Sequence, residues 1–329
     1  MRLVAQMLLV AALALPVTGC GSDDGASGER TYTVAIDIPF HPLLDYVIAK
    51  QDDYFGGKSY RVRFKVLDTT TLVPAFGTGD VDVIGTFPSF LPRIEQRYGL
   101  VAQEFLPLAR IKSSFAIWVP NDSTARTIDD LKGAKVATTP LGQQWGEDEA
   151  MVEAATGQKI DDFFDLQESA APVQQLLLGR VDAAFVSGET TAQVAESGKF
   201  RPLVSSQQIF EKAYGDPAVL SGGLAAPQRF LDENKPFVAD LSAALEDAWE
   251  RYVRDPKPVL AAASKQSGVA PEQMVGFAKA TGLADTPPAK RRVTPRDVET
   301  WTKIYAALAR SGFLEREPDD AAKYFLVAK

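Results

Sequence analysis

The chain has one cysteine and one histidine in 329 residues. A lone cysteine has no partner for a disulfide, and one histidine beside it offers no plausible zinc set. Long apolar runs are missing as well. Only Leu3–Leu15 stands out, interrupted by Gln6, and it falls short of the ~18–20 residues that span a bilayer. Positive charge is scarce: 35 Lys and Arg face 43 Asp and Glu. Nucleic acid is thereby excluded, since neutralising phosphates demands clustered cations. The only basic run, Lys290-Arg291-Arg292, lies beside Pro287-Pro288 and reads as a solvated loop. Catalytic signatures are absent too. There is no Gly-x-Ser-x-Gly elbow or P-loop, and Gly77-Thr78-Gly79 stops short of a dinucleotide fingerprint. Asp161-Asp162 and Glu147-Asp148-Glu149 read as solvated faces of an acidic protein.

What is present begins at the N-terminus. Arg2, the apolar run and Leu15-Pro16-Val17-Thr18-Gly19 precede Cys20. A basic start, an apolar stretch of about 7–15 residues and a small-residue exit are the parts of a secretory signal. Val17-Thr18-Gly19-Cys20 resembles the lipobox of bacterial lipoproteins. That resemblance implies a signal peptide over residues 1–19, removed on export, and an acylated Cys20, carrying palmitate or a similar lipid. Residues 20–30 follow as a flexible tether, because Gly21–Gly28 is too small and polar to pack. The expected location is the cell membrane, by lipid anchor only, facing the periplasm or the cell exterior. Removal of the signal leaves about 310 residues with a net charge near −9, more chain than one hydrophobic core usually organises. Two α/β lobes are therefore expected.

The patterning supports two lobes. Thr33–Asp37 is an apolar strand, followed by a helix from Leu43 to Gln51 with Pro42 in its first turn. Tyr60–Leu67 alternates as a second strand, Asp68-Thr69-Thr70-Thr71 offers N-caps for a short helix, and Val81–Gly85 is the next strand. About 100 residues on, the grammar returns: strand Ala134–Thr138, helix Trp145–Ala155, strand Lys159–Leu166, helix Val173–Leu178 and strand Val181–Val186. Gly79-Asp80-Val81-Asp82 and Gly179-Arg180-Val181-Asp182 share their closing pattern. Strand Val219–Ala226 follows, and then helical patterns at Lys235–Tyr252, Pro258–Gln266, Pro271–Ala280 and Pro295–Arg310. Such βαβ units imply mainly parallel sheets with right-handed crossovers.

These segments, together with Leu131–Ala137, Leu178–Ala184 and Ala226-Pro227-Gln228-Arg229-Phe230-Leu231, resemble bacterial solute-binding proteins of ABC importers. The likeness is to the branch serving sulfonates, taurine, nitrate and thiamine precursors. It implies a two-lobed periplasmic-binding-protein-like fold of type 2, each lobe a mainly parallel sheet flanked by helices, with two hinge crossings. Lobe I would take residues 31–112 plus 216–329, lobe II residues 113–205, and 206–215 would lie in the crossing region. It also implies a substrate-binding protein that delivers a small organic solute to an ABC permease and its ATPase, as a monomer, with no cofactor or metal. A ligand-sensing surface lipoprotein is the alternative, and a carboxylate-dependent enzyme on the same fold a more distant one.

In open α/β sheets, ligands sit beyond the carboxyl ends of the strands, where helix N-termini point donors into the crevice. Four loops then qualify, Asp37–His41, Gly85–Ser89, Thr138–Trp145 and Ser187–Thr190, with Ser221 and Gly222 as a fifth edge. The candidate ligand residues are Asp37, Phe40, His41, Thr86, Phe87, Thr138, Thr139, Gln143, Gln144, Trp145, Ser187, Glu189, Ser221 and Gly222. None of the four loops contains Lys or Arg. Tight anion sites commonly recruit guanidinium forks, so a neutral or amine-bearing organic molecule is expected rather than an inorganic oxyanion.

Overall fold

The chain builds two five-stranded sheets from one recurring unit. A computed structural model describes residues 29–36, 41–110, 115–138, 145–169, 171–187, 189–280, 283 and 292–327. Strand β1 (Arg30–Ile36) leads to helix α1 (Pro42–Ala49), with Pro42 at its first position, where the missing N–H costs nothing. After α2 (Gln51–Phe55), strand β2 (Tyr60–Val66) pairs parallel to β1. The Asp68 carboxylate caps α3 (Thr69–Gly77) by accepting the Thr71 N–H, and β3 (Val83–Thr86) returns parallel to β1 on its other side. A 3-10 turn at Pro88–Phe90 and helix α4 (Leu91–Tyr98) lead to β4 (Ala102–Arg110).

The second sheet repeats the plan. It comprises β5 (Phe115–Pro120), β6 (Lys135–Thr138), β7 (Asp165–Glu168), β8 (Ala183–Ser187) and β9 (Phe200–Ser205). Helices α5 (Trp145–Thr156), α6 (Ile160–Phe163), α7 (Pro172–Leu177) and α8 (Glu189–Glu196) make its crossovers. Helix α9 (Ser206–Tyr214), opened by a Ser205/Gln208 capping box, leads back to β10 (Leu220–Pro227), which inserts into the first sheet. The remaining helices are α10 (Gln228–Glu233), α11 (Lys235–Arg254), α12 (Pro256–Ser267), α13 (Pro271–Ala280) and α14 (Pro295–Ser311).

Strand orders are β2-β1-β3-β10-β4 and β7-β6-β8-β5-β9, the same arrangement twice. Each sheet is mainly parallel and carries one antiparallel strand, β10 in the first and β5 in the second, contributed from across the crossing. The shared Gly-x-Val-Asp pattern has one physical role in both. Gly79 and Gly179 take left-handed backbone (φ 86° and 66°). Asp82 then accepts the Thr33 N–H (2.7 Å), and Asp182 accepts the Lys135 N–H (2.9 Å), fixing register at the start of each central pair.

Alternation along the strands supplies two faces per sheet. Ala35, Ile84 and Ala225 point to one core and Val34, Val83 and Leu224 to another. In the second sheet Val136, Ala183 and Ile117 join the first of these cores, while Ala137, Ala184 and Trp118 form a third. One continuous core thus runs through both sheets on one face, with α14 and α5 inside it.

Two expectations need correction. Lys159–Leu166 is not one strand: Ile160–Phe163 is helical and only Asp165–Glu168 is extended, because Ile160 and Phe163 must both turn into the core. Residues 187–190 are not a loop throughout, since Glu189 opens α8. Among the described residues no helix is long and apolar enough to cross a membrane.

The closing helix is held by a buried ion pair. Asp297 completes a capping box with Thr294 at the start of α14 and takes both guanidinium nitrogens of Arg110 (2.5 and 2.9 Å). Removing one partner strands the other charge, so Asp297→Ala is expected to cost about 3–5 kcal/mol, seen as a lower urea midpoint. Lys303→Ala, which breaks the exposed Lys303–Glu299 pair, should cost about 0.3–0.5 kcal/mol.

Candidate functional site: the cleft between the sheets

The carboxyl ends of the two sheets meet. β3 delivers Thr86 and Phe87, and the following turn presents Ser89, which is fully buried. The Ser89 hydroxyl donates to Glu147 Oε1 (3.1 Å) in the first turn of α5, which follows β6 of the other sheet. Beside it, a Cβ on Gly146 would lie 2.7 Å from Ser89 Oγ and 2.9 Å from Phe313 Cζ, so only glycine permits this approach. Tyr305 of α14 holds the same turn from behind, donating to Pro88 O (2.9 Å).

The acids of α5, read from sequence as a solvated face, are buried instead. Each has its own role. Glu147 reaches the other sheet; Asp148 accepts the Thr138 hydroxyl (3.0 Å) and so fixes the end of β6; Glu149 accepts the Ile160 N–H (3.4 Å). One turn on, Glu153 pairs with Arg310 of α14 (2.6 Å). Carboxylates in a first helical turn gain from the helix dipole, which partly offsets their desolvation. Such acids were missed because the helix that covers them, α14, lies some 150 positions later in the chain. An acidic first turn was the one available signal.

The expected ligand residues divide by what the structure describes. Asp37, Phe40, Thr139, Gln143 and Gln144 lie outside the described residues, as does Cys20. Trp145 opens α5, Ser187 closes β8 and Glu189 opens α8, which puts all three backbones at the carboxyl end of the second sheet. Thr86, Phe87 and Gly222 come together: a Cβ on Gly222 would lie 3.5 Å from Thr86 O and 4.0 Å from Phe87 Cδ1. Phe115, the first residue after the crossing, meets Phe87 edge-on at 6.5 Å. Ser221 is buried within β10. His41 is buried at the N-cap of α1 and makes no side-chain cap; its Nε2–H donates to Leu108 O (2.9 Å), tying the helix start to β4. Thr138 is fully buried and given over to Asp148. Sequence reasoning did not single out Ser89 as a contact, nor Gly146, Tyr305 or Phe313.

Burial pushes the Asp45 carboxyl up to about 7 despite a hydrogen bond from the His41 backbone. It does the same to Glu149, to about 7, against bonds from Ile160 and Ser311. Glu104 on β4, buried beside the Asp297 carboxylate, is held well above the usual range.

Two sheets of equal plan, crossed twice and meeting at their carboxyl ends, define the two-lobed periplasmic-binding fold. The chain belongs to the family described as ABC transporter, phosphonate, periplasmic substrate-binding protein, which matches residues 40–229. That span takes in both crossings and the whole second sheet. The periplasmic aliphatic sulphonate binding protein SsuA from Escherichia coli superposes with a TM-score of 0.73 at 13% identity, covering 91% of this chain and 93% of that chain. The alkanesulfonate-binding protein SsuA from Xanthomonas axonopodis pv. citri, bound to MOPS, gives 0.65 at 16% identity, covering 91% and 99%. The periplasmic nitrate-binding protein NrtA from Synechocystis PCC 6803 gives 0.63 at 14%, covering 90% and 85%. At such identities the likeness establishes the fold alone. No curated protein sequence matches the chain.

The raised acids set a pH dependence. Asp45 and Glu149 take up protons on folding between their ordinary values and about 7. Their contribution is therefore complete in acid and is lost as pH rises through about 7. The melting temperature should be higher at about pH 5.5 than at about pH 8, and the double variant Asp45→Asn/Glu149→Gln should flatten that difference. An unchanged slope in the variant would assign the dependence to other groups.

Proposed function

We propose that the chain is a lipid-anchored carrier that captures a small organic solute between its sheets and delivers it to a membrane permease driven by an ATPase. The observation that supports this most is the meeting of two sheet ends around Ser89 and Glu147, in a chain of a transporter substrate-binding family. Lobe I would take residues 31–112 and 216–329, and lobe II residues 113–205, with α9 occupying the crossing at 206–215. The lobes close over the solute, exclude water and present the closed form, as a monomer, to the permease. Closure must draw on contacts to both lobes, because equal affinity for open and closed forms shifts nothing. The ligand leaves unchanged, so the protein is a carrier and not an enzyme.

An organic body suits the described wall of the cleft better than an inorganic oxyanion. Phe87 lies beside Gly222 there and meets Phe115 edge-on, and apolar rings are the usual lining for organic ligands. Arg110, at the cleft end of β4, is committed to Asp297. The family description favours phosphonates, whose carbon substituent would meet those rings. Thermal unfolding with methylphosphonate, 2-aminoethylphosphonate, taurine, simple amines, heterocycles, sulfate and nitrate tests this. A bound organic member at a hundred times its Kd should stabilise by about 2.7 kcal/mol, several degrees in Tm. Protection by sulfate or nitrate alone would sink the organic reading, and native mass spectrometry of protein from its own host would catch the natural solute.

The anchor is tested separately. Two signals or a full lipid set are needed for stable membrane attachment, and Cys20 is the one cysteine that can be acylated. Cys20→Ser should release the protein from the membrane fraction. Retention there would refute lipid anchoring at this residue.

A further inference from the structure

The two lobes are joined on one face of the sheets by α5 packed along α14, within the core they share. A second junction lies on the opposite face. Helix α13 is anchored to the first sheet's side: Met274 is buried with Leu260 and Ala263 of α12, and Ala278 belongs to the core containing α1 and α11. The same helix packs directly against α8. Helix α8 belongs to the second sheet, where Val194 enters the core on the face away from α5. It starts at Glu189, two positions after β8 ends at Ser187, at the carboxyl end of the second sheet. The cleft is therefore flanked on both faces by contacts that the protein's own helices make between the lobes.

We infer that α13 is a strap that holds α8, and with it the mouth of the cleft, in the closed arrangement before any solute binds. The back junction, α5 against α14, is a continuous buried core with the Arg310–Glu153 pair and the Ser89–Glu147 bond, and it stays assembled as the lobes move. The front junction is a single helix seated on another helix, the weaker of the two and the one that must open for entry. Contacts present only in the closed form bias the equilibrium toward it, so ligand supplies only the remainder. An already closed state also means that solute entry waits on strap release, which slows association without weakening final affinity. The purpose of the strap rests on the carrier reading, but its existence is tested without a ligand, so failure here leaves that reading untouched.

Gly276 is half-buried on α13, between the anchors Met274 and Ala278, whereas Lys279 is exposed on the same helix. The exported protein, stripped of solute by reversible denaturation, is compared with Gly276→Arg and Lys279→Glu by small-angle scattering and amide exchange. Wild type should scatter as a closed particle with α8 protected. Gly276→Arg should raise the radius of gyration and speed exchange across α8 about tenfold, with helix content retained, while Lys279→Glu changes neither. Thr190→Arg, placed on the α8 side, should reproduce the release and serves if Gly276→Arg does not fold. Scattering of separated lobes from ligand-free wild type, or a Gly276→Arg protein with unchanged scattering and exchange, would overturn the strap.

Discussion

The cleft depends on one constraint: the start of α5 is pressed into a turn contributed by the other sheet. Gly146 has no side chain because Ser89 and Phe313 already occupy that space. Next to it, Glu147 spends a hydrogen bond on Ser89 rather than on water. Because Thr86 and Phe87 precede that turn, the contact fixes them relative to the start of α5. Neither sheet alone could set that geometry. It also explains why Tyr305, on a helix far along the chain, belongs to the site's support: its hydroxyl holds the Pro88 carbonyl on the turn's far side.

Electrostatics makes this arrangement sustainable. Four acids of one helix are buried, which would be costly if they were left unpaired. Their partners differ: a hydroxyl across the cleft for Glu147, a hydroxyl on the same sheet for Asp148, an amide on α6 for Glu149 and a guanidinium for Glu153. The charge of the first turn lies at the positive end of the helix. Glu149 resolves its remaining cost by holding its proton toward neutrality. Polar groups thus specify the direction in which each neighbouring element approaches, which apolar packing alone leaves looser.

What was legible in the sequence followed from local physics. Apolar runs marked β1 and β3 as strands, and the glycines at 79 and 179, left-handed in the structure, marked the ends of matching helices. The repeated Asp82 and Asp182 were visible as pattern, and their shared hydrogen bond shows why the pattern recurs. Strand β4 escaped notice because Gln103 and Glu104 interrupt its apolar residues and Pro107 sits within it. Proline is tolerated there because β4 is an edge strand. The site was legible only as a place, the carboxyl ends of strands. Its supports were not, since burial of Glu147–Glu149 is decided by α14, and no local window contains that contact. Tertiary burial of charge leaves little trace in a sequence that is acidic throughout.

The two junctions between the lobes are unequal, and that inequality bears on how a binding protein divides free energy. The back junction carries a shared apolar core, a guanidinium pair and the glycine contact, so separating it would expose much apolar surface at about 25 cal/mol per Å². The front junction rests on one helix pair. Opening therefore follows the front, with the back acting as pivot. A receptor built this way does not ask its ligand to supply the whole closed-state bias: each 1.4 kcal/mol provided by the front contact relieves the ligand of a factor of about ten. The same saving limits discrimination, because a solute that contributes little can still be enclosed. Selectivity must then come from groups that penalise the wrong solute inside the closed cleft. Phe87 and Phe115 on the cleft wall are placed to make that distinction, since a bare inorganic ion leaves their rings without an apolar partner.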